Sequence, residues 1–253
     1  MFVQVIQGRV SDATKVRQGI DDWMTRLAPG ADGWLGSTSG VTDDGTCIAV
    51  VRFDSAEAAQ RNSGRAQQGE WWSGMSKLFS GDVTFHDCSE VVTARAGGSD
   101  EAGFVQVMQG RTQDLARLRD VDAMFEQRFP DLRPELLGYL VAVHDNEDGA
   151  FTLTAYFTAE EAARAGEREE LPPEAAELLR EEMQLMQDVV YLDLREPWLH
   201  SPRSCVTRLR VRGPSRSAQR ALLVACCPTV SAPVTCGRPD TRRRCRRRRA
   251  GPI

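Results

Sequence analysis

The polar side chains that could do chemistry recur at matching places in two halves of the chain. Gln7 and Arg9 end one eight-residue segment, and Gln109 and Arg111 end another. An amide and a guanidinium at this spacing could orient a carbonyl or phenolate oxygen by hydrogen bonding and charge, so these four residues are predicted to bind substrate. The competing interpretation is that the glycine between them shapes a strand end while both polar side chains face water.

Two ionisable residues are candidates for catalysis. His86 is the only histidine on a predicted strand before the C-terminal segment, and histidine is the usual general base near neutral pH. Tyr139, also on a predicted strand, could donate to a bound oxyanion. Ordinary structural roles are the alternative for both. His144 is expected at a hairpin tip and His200 beyond the second half, so neither is expected to be a ligand.

Aromatic surface is concentrated in the first half. Trp34 and Trp72, together with Trp71, would suit a flat substrate, although core packing explains a tryptophan on an apolar helix stripe equally well. The body of the chain shows no Gly-rich phosphate loop, no Ser/His/Asp order and no His/Cys cluster at metal-ligand spacing. We therefore predict no metal and no cofactor.

The positions of these residues follow from an internal duplication. Residues 2–9, Phe-Val-Gln-Val-Ile-Gln-Gly-Arg, recur at residues 104–111 with a single difference, a methionine in place of the isoleucine. Each half then predicts the order strand, helix, strand, strand, helix, strand, with hairpins at residues 34–53 and 137–157. The predicted organisation is a first repeat at 1–92, a linker at 93–103, a second repeat at 104–196 and a separate C-terminal tail at 197–253.

The opening strands, the glycine-bearing hairpins and the strand-to-helix junctions Phe-Asp-Ser-Ala-Glu-Ala-Ala and Phe-Thr-Ala-Glu-Glu-Ala-Ala resemble the dimeric α/β-barrel superfamily. Within it, the chain is most similar to antibiotic-biosynthesis-monooxygenase-like proteins, as a fused tandem over residues 1–196. The predicted fold is α+β. Two ferredoxin-like βαββαβ repeats pair their antiparallel sheets as an intrachain dimeric α/β barrel, and a disordered basic C-terminal tail follows.

The resemblance implies a pocket between sheet and helices in each half, with a hydrophobic small molecule as partner. It also implies an activity, namely cofactor-independent monooxygenation of an aromatic or polyketide-like substrate. The alternative is a non-catalytic, stress-associated or ligand-sequestering barrel. The haem-degrading branch fits least, because its strand asparagine is replaced here by Gln7. Because the first half holds the tryptophans and His86, it is the half expected to work chemically.

The charge distribution divides the chain into an acidic body and a basic C-terminal tail. The net charge is −4, yet residues 202–253 contain fourteen Arg and a single Asp. The remaining body is therefore acidic and disfavours nucleic acid. The tail fits either a nucleic-acid-binding arm or the product of a shifted reading frame, and nucleic acid is a partner only if the tail is native. We expect a cytoplasmic protein without a membrane partner. The chain would be an intrachain pseudo-dimer, and a higher oligomer stays open.

Overall fold

The computed structural model describes residues 1–95 and 97–202, which lie in one compact unit. The predicted disorder and nucleic-acid binding of the tail fall almost entirely outside these residues. The described elements are, in chain order, β1 (Phe2–Arg9), α1 (Ala13–Arg26), β2 (Trp34–Val41), β3 (Thr46–Phe53), α2 (Ala56–Ser63), α3 (Ala66–Met75), β4 (Thr84–Cys88), β5 (Glu90–Arg95), β6 (Phe104–Thr112), α4 (Leu115–Arg128), β7 (Leu136–Val143), β8 (Ala150–Phe157), α5 (Glu160–Gly166), α6 (Pro173–Leu185), β9 (Met186–Leu194) and β10 (Trp198–His200).

Local chemistry sets many of these boundaries. Helix α1 begins after Asp12, whose side chain accepts a hydrogen bond from the backbone N–H of Lys15 at 3.0 Å. The hairpin between β2 and β3 turns at Gly45, whose φ of +84° lies in the left-handed region that favours glycine. The corresponding turn between β7 and β8 uses Gly149, with φ of +65°. The two repeats therefore share their turn chemistry.

The strands form two antiparallel five-stranded sheets, in the orders β10-β2-β3-β1-β4 and β5-β7-β8-β6-β9. Four strands of each sheet come from one repeat, and the fifth comes from the other. Strand β5 leaves the first repeat to pair with β7, while β10 follows the second repeat and pairs with β2. The repeats thus exchange their last strands across the molecule.

This exchange differs from the predicted organisation at two places. The predicted linker includes residues 93–95, yet these belong to β5, which pairs from Glu90 to Arg95 with β7. The predicted tail includes residues 198–200, yet Trp198 lies opposite Ser39 in β10 and is only 7% exposed. In both cases the partner strand belongs to the other repeat, so local sequence carries no sign of the pairing.

The two sheets pack face to face through one hydrophobic core. It contains Val3, Val5, Ile48 and Val50 from the first sheet, and Val105, Val107, Leu140 and Leu194 from the second. Because side chains alternate along a strand, the residues between these point to the opposite face, where the helices pack. We call the two sides the inter-sheet face and the helix face. None of the described helices has the length and hydrophobicity of a transmembrane segment.

Candidate functional site

A cavity of about 120 Å³ lies between the helix face of the first sheet and helices α1 to α3. Four tryptophans line it, and they form a connected aromatic wall. The rings of Trp23 and Trp34 meet edge to face with centroids 5.3 Å apart, and Trp71 lies 6.5 Å from Trp23 and 6.1 Å from Trp72. We call this the tryptophan cavity.

Two indole hydrogen bonds position the wall. Trp71 donates from Nε1 to the backbone carbonyl of Gly19 at 2.8 Å, and Trp23 donates to Oε1 of Gln68 at 2.7 Å. Each bond joins α1 to α3. A Cβ at Gly19 would clash with the sulfur of Met75 in its present position, so glycine favours the close approach of the two helices. Three of the four tryptophans are therefore positioned by the packing of α1 against α3, and the fourth, Trp34, belongs to β2.

The second repeat has almost no space at the equivalent place, where the cavity volume is about 20 Å³. The strand registers align the two repeats residue by residue. Small residues on β2 and β3 of the first repeat have large counterparts on β7 and β8. The replaced pairs are Ser37 by Tyr139, Ser39 by Val141, Cys47 by Phe151 and Ala49 by Leu153. These four substitutions fill the second cavity from the sheet side.

The tryptophan cavity is lined by apolar and neutral polar residues, with no Asp, Glu, Lys, Arg or His among them. Its polar groups are hydroxyls and side-chain amides, including Ser37, Gln4 and Asn62. The Cys47 thiol also lines it, but burial raises the pKa of Cys47 to about 12, so it stays protonated at neutral pH. Such walls favour an uncharged ligand, because a buried unpaired charge is costly.

The predicted binding residues divide between several places. Trp34 and Trp72 line the tryptophan cavity. Gln7 and Arg9 do not line it, because they share the parity of Val3 and Val5 and so belong to the inter-sheet face. Arg9 is exposed and forms an ion pair with Asp44 in the β2–β3 hairpin turn of the same repeat. The polar contact that both repeats keep on the helix face is a different one: Gln4 donates to Asp87 at 2.8 Å and Gln106 to Asp193 at 3.0 Å.

Tyr139 is buried on the helix face of the second sheet, away from any open cavity. Its hydroxyl donates to the carboxylate of Asp122 on α4 at 2.5 Å. Burial raises the pKa of Tyr139 far above its ordinary value, and the neighbouring Asp122 adds to the effect. The hydroxyl is therefore already committed to a protein acceptor and does not reach the tryptophan cavity.

His86 lies on the inter-sheet face of β4 and meets the second repeat there. Its ring stacks on His144 with centroids 4.3 Å apart, and its Nδ1 lies 2.5 Å from Oε1 of Glu147. Gln109 and Arg111 line the adjoining groove of about 210 Å³. Three of the predicted residues therefore come together, but on the opposite side of the sheets from the tryptophan cavity.

The electrostatics of this cluster follow from burial and proximity. His144 directly follows β7 at the start of the hairpin turn, yet its side chain is only 7% exposed, and burial together with the neighbouring His86 lowers its pKa. Partial burial favours the neutral form of Glu147. The hydrogen bond from His86 and the charge interactions with His86, His144 and Arg111 together outweigh this effect, so the pKa of Glu147 lies below its usual range.

This cluster is not apparent in the sequence, where no metal-ligand spacing is recognisable in the body. The three residues in fact bring possible ligand atoms within 4.8 Å of one another. His86 and His144 belong to different repeats, so only the packing of the two sheets makes them neighbours. The short spacing between His144 and Glu147 is the one local signal.

Comparisons with known proteins connect this geometry to a fold. No family model and no curated protein matches the chain. A candidate monooxygenase from Lactobacillus acidophilus is similar in structure at 12% identity, with 79% of this chain and 95% of that chain covered and a TM-score of 0.63. A candidate monooxygenase from Fusobacterium nucleatum superposes at 9% identity over 79% and 94%, with a TM-score of 0.65. An anthrone oxidase-like protein superposes at 10% identity over 78% and 93%, with a TM-score of 0.56.

These similarities confirm the predicted fold. The chain has a ferredoxin-like α+β fold, which it shares with the two candidate monooxygenases and the anthrone oxidase-like protein. Its two antiparallel five-stranded sheets arise from a tandem fusion, with both barrel halves in one chain.

Proposed function

We propose that the first repeat binds a small, uncharged aromatic molecule in the tryptophan cavity. The observation that carries this proposal is the contrast between the repeats, about 120 Å³ of open volume in the first and about 20 Å³ in the second. The two repeats share topology and register, so the fold does not require an opening at this place. Small residues at four strand positions maintain it in one repeat alone.

The size and walls of the cavity define the ligand. An apolar cavity of roughly 150 Å³ accommodates benzene, so the tryptophan cavity suits one aromatic ring, or two if part of the ligand projects from the mouth. Edge-to-face and offset contacts with Trp23, Trp34 and Trp71 would hold a flat ring. The hydroxyls and amides of the lining would satisfy a phenolic or ketone oxygen.

Binding is tested with the full-length chain and two ring-sized probes, phenol and 1-naphthol, followed by tryptophan fluorescence and calorimetry. We expect saturable binding at one site. Ala49→Leu, which introduces the residue found at the matching position of the second repeat, should weaken binding at least tenfold. Ser39→Val, which copies Val141, provides a second closing variant. Equal binding by wild type and both folded variants would refute the proposal.

A second candidate function is cofactor-independent oxygenation of the bound molecule. It is favoured by the structural similarity to candidate monooxygenases and to an anthrone oxidase-like protein. In this reaction a methylene of the substrate becomes a carbonyl. One oxygen atom of O2 enters the product, and the other leaves as water with the two hydrogens. No ionisable base lines the cavity, so the substrate must itself carry an acidic C–H group.

Oxygen uptake separates the two candidates. Oxindole is the probe, because it has only two fused rings, its methylene is acidic, and oxygenation converts that methylene into the second carbonyl of isatin. Oxygenation predicts protein-dependent oxygen consumption that falls in Ala49→Leu in parallel with binding. Saturable binding with oxygen uptake no faster than in buffer would leave the cavity as a ligand-sequestering site.

A further inference from the structure

The inter-sheet face carries a second site with different chemistry, built from His86, His144 and Glu147. One carboxylate oxygen organises the cluster. Oε1 of Glu147 lies 2.5 Å from Nδ1 of His86 and 3.6 Å from Nδ1 of His144, while Oε2 faces Arg111 at 3.7 Å. All three ligand atoms lie within 4.8 Å of one another. Two imidazoles and one carboxylate thus converge on a single point.

The clearest sign of a ligand is the environment of His144. Its side chain is 7% exposed, and its Nε2 is hydrogen-bonded to Oγ1 of Thr152 at 2.9 Å. Its Nδ1 is buried and has no hydrogen-bond partner among the described residues. The 3.6 Å separation from Glu147 is too long for a hydrogen bond. A buried nitrogen left in this state is costly, and a cation between it and the carboxylate would satisfy both.

The bond to Thr152 is also the arrangement that prepares a histidine for metal binding. Metal-ligating histidines hold their second ring nitrogen in a hydrogen bond, which fixes the ring and leaves the other nitrogen as the ligand. Thr152 is fully buried, and its hydroxyl also accepts from Nε2 of Gln109 at 3.4 Å. Hydrogen bonds through Thr152 therefore fix the orientation of the His144 ring.

We propose that His86, His144 and Glu147 bind a divalent transition-metal ion of the zinc class. Two imidazoles and a single carboxylate match the preferences of Zn²⁺, whereas Ca²⁺ and Mg²⁺ take mostly oxygen ligands. Bonds of about 2.0–2.2 Å at a tetrahedral angle separate ligand atoms by about 3.3–3.6 Å. The His144–Glu147 distance of 3.6 Å already falls in this range, and Nδ1 of His86 would have to move about 1 Å away from Glu147. The fourth position opens on the groove that Gln109 and Arg111 line.

The site is unique within the duplicated architecture. The register places Thr42 where the second repeat has His144, and Leu192 where the first has His86. The opposite end of the inter-sheet face therefore lacks the imidazoles, and one site per chain is expected. Because His86 belongs to the first repeat and the other two ligands to the second, the metal would also link the two repeats.

The test is a titration of the full-length, metal-free protein with Co²⁺, read by its visible absorption. A tetrahedral site gives intense visible bands. Any binding to the five cysteines of residues 203–253 would be recognised separately by thiolate charge-transfer absorption. We expect His144→Ala and Glu147→Gln to weaken the visible-band site by roughly 100-fold or more. Thr152→Val, which keeps the shape of the side chain, should weaken it by about 10–100-fold. His200→Asn is the matched histidine control and should bind like wild type.

Stability provides the second readout. Zn²⁺ should raise the melting temperature of wild type and His200→Asn but not of Glu147→Gln, whose change lies in a partly exposed hairpin and is expected to fold. If Co²⁺ gives no tetrahedral spectrum with the wild type, or gives the same spectrum and affinity with folded Glu147→Gln, then His86 and Glu147 form only a hydrogen-bonded pair and the proposal is wrong.

Discussion

Trp23 on α1 donates its indole N–H to Oε1 of Gln68 on α3 at 2.7 Å. Both residues are part of the lining of the tryptophan cavity. Trp23 is 8% exposed, so removal of the acceptor would leave a largely buried indole N–H. This single pair therefore couples the stability of the helix layer to the geometry of the cavity.

Replacement of Gln68 tests that coupling. Gln68→Met keeps the length and apolar body of the side chain but removes the acceptor, leaving a buried N–H without a partner. We expect a loss of about 1–3 kcal/mol in the free energy of unfolding, measured by urea denaturation. Gln67→Met is the matched control at an exposed neighbouring position and should stay within about 0.5 kcal/mol of wild type. Equal stability of the two variants would show that the bond is not maintained in solution.

Exchanging the residues at one matched strand position should close the cavity of the first repeat and open one in the second. Leu153→Ala places in the second repeat the residue that Ala49 provides in the first, and it removes a partly buried side chain at a cost of about 2–4 kcal/mol. We expect the enlarged second cavity to accept benzene. The measurement uses the double variant Ala49→Leu/Leu153→Ala, in which the first cavity is closed. Benzene should raise its melting temperature but not that of Ala49→Leu alone.

The elements of the fold are readable from sequence wherever the signal is local. The hairpin predicted at residues 34–53 has the predicted limits, and the one predicted at residues 137–157 begins one residue earlier, because apolar strands and glycine turns define both. Strand β5 is not predicted because the partner of Glu90–Arg95 lies in the other repeat. Strand β10 is not predicted either, because its partner β2 belongs to the first repeat. Pairing across the repeats is a property of the assembled sheets and leaves no periodic pattern in a short segment.

The residues that share a candidate site are harder to predict from sequence than the elements of the fold, for two physical reasons. Gln7 and Arg9 are candidates because they recur, but recurrence does not say which face of a strand a side chain occupies. The parity of β1 puts them opposite the cavity. The contact of His86 with His144 depends on how two sheets are stacked, which the order of elements alone does not define. Trp34 and Trp72 do share one cavity, because helix and strand periodicity directs both side chains to the layer between sheet and helices.

The exchanged strand β10 should contribute substantially to stability. Trp198 is 7% exposed and packs with Val10, Val16, Cys47 and Met75 of the first repeat. We expect Trp198→Ala to lower the free energy of unfolding by about 3–5 kcal/mol, as is usual for a buried tryptophan. The measurement is urea denaturation of the full chain. Leu199→Ala, on the same strand and only partly buried, is the control and should lose clearly less. A change of under about 1 kcal/mol for Trp198→Ala would contradict the exchange.

A buried acid on α6 predicts how stability depends on pH. Burial raises the pKa of Glu182 to about 7, and the neighbouring Asp122 contributes to the increase. Between about pH 4.5 and pH 7 the folded state therefore holds a proton that the unfolded state has released. For an acid with a raised folded pKa, stability is highest below the unfolded pKa and falls as the pH rises through this window. Each tenfold change in an acid dissociation constant corresponds to about 1.4 kcal/mol, so stability should fall by about 2–3 kcal/mol.

Glu182→Gln removes this titration while keeping the shape of the side chain. We expect the variant to be more stable than wild type at pH 8, and to lose most of the stability difference between pH 5 and pH 8 that the wild type shows. Urea denaturation at the two pH values measures both effects. Glu177→Gln, on the same helix and without an ion pair among the described residues, should keep the wild-type dependence. If Glu182→Gln and wild type share the same pH profile, the carboxyl group of Glu182 ionises with little penalty and the helix layer of the second repeat is open to water.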